Sequence, residues 1–286
     1  MMTFRGNRLA KTKLPSGTVW LLEKLAESKE KQALNESRSR RILQSLQETA
    51  LIEGTESSNR IDGVTVEPGR LRPLVLANAR PRDRSEEEIV GYRSALSWVH
   101  DNHGKVPIEP QTLKRLHALA QAGTIGDAGE WKKSQNEIVE LDPEGRLGVR
   151  FQPVEPALVP FAVEELCLAY KHSTDQLIIT PLLAAACLVF DFLCIHPFRE
   201  ANGRVSRLLT LLALYHHGHN VGRYISLERI IERSKESYYA ALQTSSVGWH
   251  GGSHDIMPWF HYFLSTIHIA YREFEECTPA AGLVGQ

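Results

Sequence analysis

The sequence of 286 residues has almost no net charge and little sign of disorder. Its 33 lysines and arginines balance 34 aspartates and glutamates, which excludes a basic nucleic-acid coat or an acidic tail as the main theme. Hydrophobic residues make up 42%, so disordered and fibrous classes are excluded as well. Residues 1–50 hold ten basic and five acidic side chains. This excess favours a solvated helix face, with nucleic-acid binding as the less favoured alternative.

Cysteine is scarce, and a secretory or membrane-spanning segment is missing. None of the four cysteines forms a CxxC pair or has a histidine at zinc spacing, which indicates a reducing compartment. The most apolar stretch, residues 182–195, contains Asp191 and is shorter than the ~20 residues that a bilayer requires. The N-terminal sequence has no apolar core of the kind that a signal peptide needs. We expect a cytoplasmic protein without a membrane partner.

Helical periodicity dominates the rest of the chain. Apolar or small positions recur at steps of three and four from about Ser37 to Ile61, and Gly63 stands where a C′ residue would end that helix. Ser85 and Glu88 fit a capping box at the start of a later helix. His117 lies on the apolar stripe of another helix, which favours a packing role over a ligand role.

Strand patterning is convincing in one place. Residues 137–141 and 147–151 alternate or are β-branched, and residues 142–145 have turn chemistry. We therefore predict an all-α fold, a helical bundle with one small β-hairpin.

Polar residues are concentrated in the segment 196–207, between two apolar helices. Residues 182–195 are apolar on nearly every face, as in a helix buried in a bundle core. Pro197 disfavours helical geometry at His196, so this helix should end there. A second apolar helix begins near Arg204. Two core helices joined in this way give a rigid platform with the polar residues in the joint.

The residue types in the joint suit phosphate chemistry. Asn202 and Gly203 begin a helix whose first backbone N–H groups are free to bind an anion. Arg204 and Arg207 are three apart, hence on one helical face, and can clamp anionic oxygens.

Two further side chains supply what phosphate transfer requires. Glu200 is a hard carboxylate suited to Mg²⁺ that bridges phosphates. His196 is a candidate general base, because the ordinary histidine pKa of ~6.5 lies near neutrality. Together with the anion site, these groups predict phosphoryl or nucleotidyl transfer.

This segment resembles the signature of the Fic family, HPF-x-x-[GA]-N-G-R-x-x-R, and matches it at every fixed position. Fic proteins are all-helical, and most transfer AMP from ATP onto a hydroxyl side chain of a target protein. The resemblance implies ATP as substrate, Mg²⁺ as cofactor and a target protein with a Ser, Thr or Tyr hydroxyl as partner.

By resemblance, His196 deprotonates the incoming hydroxyl, and Glu200 holds Mg²⁺ on the α- and β-phosphates. Asn202 with the loop amides would stabilise charge on the α-phosphate. Arg204 and Arg207 would hold the β- and γ-phosphates. The predicted phosphate-binding residues are Ala201, Asn202, Gly203, Arg204, Ser206 and Arg207.

One branch of the wider family, the Doc-type kinases, has Ala at the position of Ala201 but Lys at that of Gly203. Gly203 therefore argues for the ATP orientation used in AMP transfer. By resemblance, Phe198 would anchor the loop in the core.

The predicted hairpin lies where Fic proteins carry a flap that aligns the target segment by strand addition. Ile138, Val139 and Glu140 are the predicted flap residues. The lead-in to this hairpin, residues 129–135, also resembles the family.

Tyr238 and Tyr239 resemble a pattern whose aromatic rings line the adenine pocket, with ordinary helix packing as the alternative. Family members often have Asn seven residues after the second Tyr, but Ser246 stands here.

Many Fic proteins also carry an inhibitory helix with the motif [ST]-x-x-x-E-[GN], whose Glu binds the second Arg of the signature and blocks the γ-phosphate. Residues 58–63 fit this motif, but their acid is Asp62. Residues 49–54 match as well, with Glu53 in mid-helix. We favour Asp62, because the sequence that follows resembles the family. Aspartate is one methylene shorter, so we expect either a longer pair with Arg207 or a helix that lies closer, and weaker inhibition than from a glutamate.

We predict an N-terminal helical region in residues 1–105, a Fic core in 106–275 and a flexible tail in 276–286. The leading functional prediction is a protein adenylyltransferase inhibited by its own N-terminal helix. One alternative is a Fic-fold enzyme with other cargo, which transfers UMP, GMP or phosphocholine or removes AMP. Another is a non-catalytic nucleotide-binding regulatory protein. A homodimer stays open, and nucleic acid is not an expected partner.

Overall fold

The structure, a computed structural model, describes residues 3–5, 8–36, 40–122, 126–141 and 147–278. These residues form eleven α-helices and one antiparallel pair of strands, which confirms the predicted fold class. The helices are α1 (Ser16–Glu36), α2 (Arg40–Ile61), α3 (Pro68–Leu76), α4 (Arg84–Asn102), α5 (Pro110–Ala120), α6 (Val159–Asp175), α7 (Pro181–Ile195), α8 (Asn202–His216), α9 (Leu227–Arg233), α10 (Lys235–Ser246) and α11 (Met257–Cys277). The strands are β1 (Ile138–Leu141) and β2 (Leu147–Phe151).

The centre of the bundle is the pair α7 and α8. Every residue of α7 after Pro181 is buried, and α8 is buried from Arg204 to Tyr215. Helices α6 and α11 pack against α7, while α4 and α5 pack against α8. Because four other helices enclose this pair, the loop that joins α7 to α8 is held at both ends by the packed core.

The break between α7 and α8 falls where the sequence predicts it. Helix α7 ends at Ile195, and His196 adopts a left-handed φ of 50°. Ala201, which precedes α8, has a left-handed φ of 60°. Such a backbone is costly for residues other than glycine, and it persists only where surrounding contacts fix it. The loop between these two residues is therefore a strongly determined turn.

Helix α2 packs against α4 and α9, and its C-terminus lies beside the start of α8. Gly63 follows α2 with a φ of 83°, as the predicted C′ glycine requires, and the Val64 amide closes the end by donating to the Asn59 carbonyl at 2.9 Å. The Nζ atom of Lys235 in α10 donates to the Ile61 carbonyl at 2.9 Å. The end of α2 is thus fixed in position.

The predicted capping box at Ser85 and Glu88 is wrong. Asp83 is the N-cap of α4, and its carboxylate accepts a hydrogen bond from the Glu86 amide at 2.9 Å. A carboxylate at this position both caps the helix and interacts favourably with its dipole. Glu88 lies just beyond the first turn of the helix and pairs with arginines instead.

Helices on both sides of residue 105 contribute to one hydrophobic core, and the predicted domain division stays a prediction. Helix α11 runs through Cys277, and Thr278 is buried. Residues 279–286 of the predicted tail and the predicted turn at 142–145 lie outside the described residues. Within the described part of the chain, no helix has both the length and the apolar character to cross a bilayer.

Candidate active site

A cavity of about 480 Å³ lies over the joint between α7 and α8. The end of α2, the start of α4, the hairpin and α10 form its other walls. Most of the predicted site residues line it. These are Asp62, Ile138, His196, Glu200, Ala201, Asn202, Gly203, Arg204, Arg207, Tyr238 and Tyr239.

The loop that forms the floor of the cavity is fixed by Asn202. Its Oδ1 accepts a hydrogen bond from the Phe198 amide at 2.9 Å, and its Nδ2 donates to the Phe198 carbonyl at 2.8 Å. Asn136, just before β1, donates to the same carbonyl at 2.9 Å. Both polar atoms of the Asn202 side chain are therefore engaged within the loop. These hydrogen bonds shape the loop. They leave the Asn202 side chain without a free donor directed at a phosphate, so the predicted contact is not formed in this geometry.

Phe198 anchors the loop in the core, as predicted. Its ring is fully buried and stacks on His117 with ring centroids 3.9 Å apart. Trp131 packs on the same ring at 5.0 Å, and the Lys132 amide donates to the Pro197 carbonyl at 2.9 Å. His117 is 1% exposed, so its predicted packing role is confirmed. Residues of α5 and of the segment before the hairpin thus pack against the loop and fix its position.

His196 lines the cavity and is held by one hydrogen bond to the end of α7. Its Nδ1 lies 3.3 Å from the Leu193 carbonyl, and because a carbonyl can only accept, we assign the ring proton to Nδ1. The lone pair of Nε2 is then available. Burial lowers the pKa of His196 to about 4, and the positive charges of Lys132 and Arg150 act in the same direction. The ring is therefore neutral near pH 7, as a base must be.

The start of α8 has the free backbone amides that an anion site requires. The Val205 amide donates to the Ala201 carbonyl at 2.9 Å, and the amides before it lack such intrahelical acceptors. A Cβ atom on Gly203 would lie 3.1 Å from Asp62 Oδ1 and 3.2 Å from Arg207 Nη1. Glycine at this position therefore lets charged groups approach the helix N-terminus closely.

The two signature arginines are buried and paired. Arg204 Nη1 lies 2.8 Å from Glu88 Oε2. Arg207 donates from Nε to the Ser58 hydroxyl at 2.7 Å and from Nη2 to the Ser58 carbonyl at 2.8 Å. Contacts from α4 and α2 thus fix the direction of both guanidinium groups.

Asp62 is the acid that the structure brings to Arg207. Its Oδ2 lies 3.0 Å from Arg207 Nη2 and 3.6 Å from Arg204 Nε. The pair is at ordinary hydrogen-bond distance, so the expected lengthening is not found, because the end of α2 lies close enough for the shorter side chain. Although burial opposes the charge, Asp62 helps to raise the pKa of Arg207. Glu53 lies outside the cavity and pairs with Arg229 at 2.8 Å.

Glu200 lies at the rim of the cavity, where it could hold a metal. Its carboxylate is 44% exposed and bonds Arg84 Nη2 at 3.0 Å, and Arg84 is itself 61% exposed. Such exposed pairs are weak, so a cation could displace the arginine. The described residues contain no cluster of three or more His, Cys, Asp or Glu side chains suited to a metal. One carboxylate with substrate phosphates nonetheless matches how proteins usually bind Mg²⁺.

The two tyrosines form the wall opposite the loop. Tyr238 is buried and packs against Tyr239, Trp259 and Tyr262, whereas Tyr239 is 42% exposed. Ser246, which replaces the Asn that is common at this position in Fic proteins, also lines the cavity. Tyr238 thus packs in the core as well as lining the cavity, whereas Tyr239 is partly exposed at the cavity wall.

Other predicted site residues lie away from the cavity. Ser206 donates to the Gly203 carbonyl at 2.7 Å within its own helix, so its side chain is not placed to bind a phosphate. Val139 is 51% exposed on the hairpin, and the side chain of Glu140 lies outside what the structure describes. Strands β1 and β2 pair antiparallel as predicted, with Ile138 opposite Phe151.

Four residues of the site escaped the sequence reasoning. Ser58, Arg84, Glu88 and Arg150 all contact or line the site. Ser58 opens the inhibitory motif, which was a usable signal. The others come from segments distant in sequence, and nothing local to them marks a functional role.

Comparison with known proteins decides the family. Residues 107–214, from just before α5 to the last turns of α8, match the Fic/DOC family model. This chain contains a Fic domain. Helix α2 with Asp62 and helix α10 with its tyrosines lie outside the matched segment.

Relatives within the Fic family are distant. Protein adenylyltransferase fic-1 of Caenorhabditis elegans is 23% identical over 210 residues, which cover 71% of this chain. The chain spans only 37% of that relative's length.

Solved Fic structures share the fold. A Fic family protein from Desulfovibrio desulfuricans superposes with a TM-score of 0.75 at 20% identity, over 93% of this chain and 76% of its own. A Fic domain containing signaling protein from Bacteroides thetaiotaomicron gives 0.72 at 20% identity, over 92% and 97%. At these identities, the likeness concerns the fold alone.

Proposed function

We propose that this Fic-domain protein transfers AMP from ATP onto a hydroxyl side chain of a target protein. The observation that carries the proposal is the position of His196. Its neutral ring lines the same cavity as the start of α8 and the two buried arginines. A base and an anion site that share one cavity suit the attack of a hydroxyl on a bound phosphate.

The proposed reaction is an in-line displacement at the α-phosphorus. The target hydroxyl oxygen forms a bond to that phosphorus, and its proton passes to His196 Nε2. The bond from the α-phosphorus to the bridging oxygen breaks, and pyrophosphate leaves with the electron pair. The α8 amides and the guanidinium groups of Arg204 and Arg207 neutralise charge on the phosphates during the displacement.

Mg²⁺ belongs to this proposal, with Glu200 as its protein ligand. When bound, the ion neutralises phosphate charge and orients the leaving group. Glu200 must first leave Arg84, which is an exchange of one exposed partner for another.

Asp62 supplies the proposed inhibition. Its carboxylate lies at the start of α8 and bonds Arg207, so an anionic side chain already stands where phosphate oxygens would bind. Nucleotide in the productive position must displace this carboxylate. The related adenylyltransferase from Caenorhabditis elegans supports AMP as the cargo, but Ser246 in the pocket keeps another nucleobase open as the second candidate.

Labelling with [α-³²P]ATP and Mg²⁺ tests the proposal, because competent enzymes of this kind often modify themselves. We expect label on the protein, loss of label in His196→Ala and more label in Asp62→Gly. A parallel incubation with [γ-³²P]ATP should leave the protein unlabelled, and label there would indicate a kinase. Absence of α-label from ATP, with label from another α-labelled nucleotide, would favour the second candidate.

A further inference from the structure

Arg150 is a cavity residue that the proposed mechanism leaves without a role. It lies in β2, directly after Val149, whose side chain is 55% exposed on the outer face of the hairpin. The strand register shifts here, because Ile138 pairs with Phe151 and Val139 pairs with Val149, so Arg150 lies between the two pairs without a strand partner. Arg150 and Phe151 both line the cavity, together with His196 and the start of α8.

The guanidinium of Arg150 lacks a partner within the described part of the chain. Its Nη1 atom is buried and has no hydrogen bond there. The other three arginines of the cavity are paired, Arg204 with Glu88, Arg207 with Asp62, and Arg84 with Glu88 and Glu200. A buried donor without an acceptor is costly. Among the described residues, Arg150 Nη1 is therefore a donor that an anion in the cavity could satisfy.

The position of Arg150 indicates where this anion would lie. Burial is the main cause of the pKa shifts of His196 and Tyr239, and the charges of Arg150 and Asp62 contribute to both shifts. All four residues line the same cavity. An anion in this cavity could therefore meet the guanidinium of Arg150 as well as those at the start of α8.

We propose that Arg150 binds the phosphate oxygens of the nucleotide from the hairpin side of the cavity, opposite Arg204 and Arg207. This inference rests on the proposed function and adds a specificity-determining residue to it. The phosphate must lie within reach of a hydroxyl whose proton His196 accepts, so it lies beside the same ring that Arg150 approaches. A guanidinium matches phosphate oxygens in charge and in planar donor geometry.

Equilibrium titration calorimetry with MgATP tests the assignment. The parent is the full chain with His196→Ala, which prevents turnover, and Asp62→Gly, which clears the α8 N-terminus. In this parent, Arg150→Gln should weaken ATP binding by roughly 10- to 100-fold, as expected for a lost charge-assisted hydrogen bond. Val149→Gln, the adjacent outward residue, is the matched control and should leave ATP affinity unchanged. Arg150→Lys should retain most of the affinity, because it keeps the charge.

Binding of adenosine, which lacks phosphates, distinguishes a contact of Arg150 with the phosphates from a contact with the nucleoside. Arg150→Gln should leave adenosine binding unchanged. An equal loss for adenosine and ATP would overturn the inference by placing Arg150 at the nucleoside. Unchanged ATP affinity in Arg150→Gln, in a variant whose melting temperature equals that of the parent, would overturn it too and leave the target protein as the source of the anion. Failure of the parent itself to bind ATP would instead contradict the proposed function.

Discussion

The loop between α7 and α8 and the end of α2 meet at the same helix N-terminus, but they are held there in different ways. The loop is fixed through its backbone, with Asn202 and Asn136 bonded to Phe198 and the Phe198 ring buried. The carboxylate of Asp62 reaches the site through an arginine pair that phosphate oxygens could replace. The proposed catalytic geometry is thus fixed by the core, whereas the proposed inhibition depends on exchangeable contacts. Mutations in the loop and mutations at the end of α2 should therefore have different effects, the first on catalysis and stability and the second on inhibition.

The largest expected effect separates chemistry from folding. His196→Ala should lower AMP transfer by roughly 100-fold or more, the usual contribution of a positioned general base. Thermal stability should change little, because the ring makes one weak hydrogen bond of 3.3 Å. Initial rates of α-label incorporation, with melting temperature as control, measure both. Full activity in this variant would remove the base assignment.

The second test weakens the loop without touching the base. Asn202→Ala should remove two buried hydrogen bonds and lower the free energy of unfolding by about 2–3 kcal/mol, with a large loss of AMP transfer. Asn136→Ala removes one bond to the same carbonyl and should show a smaller loss of both. Chemical denaturation gives the stability change. Equal effects in the two variants would contradict the central role of Asn202.

The third test removes the carboxylate of the exchangeable Asp62–Arg207 pair. Asp62→Gly should raise AMP transfer by roughly 10-fold, since a charge-assisted pair no longer competes with phosphate. Glu53→Gly is the control and should cause no increase, because Glu53 pairs with Arg229 away from the cavity. An increase in Glu53→Gly with no change in Asp62→Gly would show that the wrong acid was assigned.

A fourth expectation concerns pH. Burial lowers the pKa of His117 and of His196 to about 4, against an unfolded value near 6.5. Between these values the unfolded chain binds more protons, so stability present above pH 6.5 is lost as the pH falls towards 4. Melting temperatures across this range should fall, and less steeply in His117→Phe. The acidic limb of activity should lie near pH 4, and a limb near 6.5 would mean an unperturbed base.

The smallest expected effect concerns the metal. Chelation of Mg²⁺ should abolish label incorporation, whereas Arg84→Gln should lower the Mg²⁺ concentration needed by less than about fivefold, as expected for loss of an exposed ion pair. A titration of Mg²⁺ at fixed ATP measures the shift. Label incorporation that persists in chelator would exclude Glu200 as a metal ligand in the reaction.

Features that depend on local sequence could be predicted, whereas contacts between distant segments could not. Pro197 fixes the end of α7, and Gly63 fixes the end of α2, because each acts on its own backbone. The choice of Asp83 over Ser85 as N-cap depends on a competition that sequence patterns describe poorly. The inward turn of the Asn202 amide follows from its bonds to Phe198, four residues earlier in the same loop.

Residues brought together from separate helices were the hardest to foresee. Glu88 meets Arg204 across more than a hundred positions, and Arg84 meets Glu200 in the same way. A single sequence carries no local trace of such pairs. Arg150 was missed for a related reason, since a hairpin arginine has meaning only once the hairpin is folded over the cavity.

Gly203 has a consequence for how this site could diverge. Even one methyl group at this position would lie 3.1 Å from the Asp62 carboxylate and 3.2 Å from the Arg207 guanidinium, so both would have to move. A larger side chain, such as the lysine of the Doc-type kinases, needs still more of the same space. The Asp62 carboxylate and a side chain at position 203 therefore compete for the same space, and a descendant of this chain that acquired a large side chain there would weaken the proposed restraint in the same step.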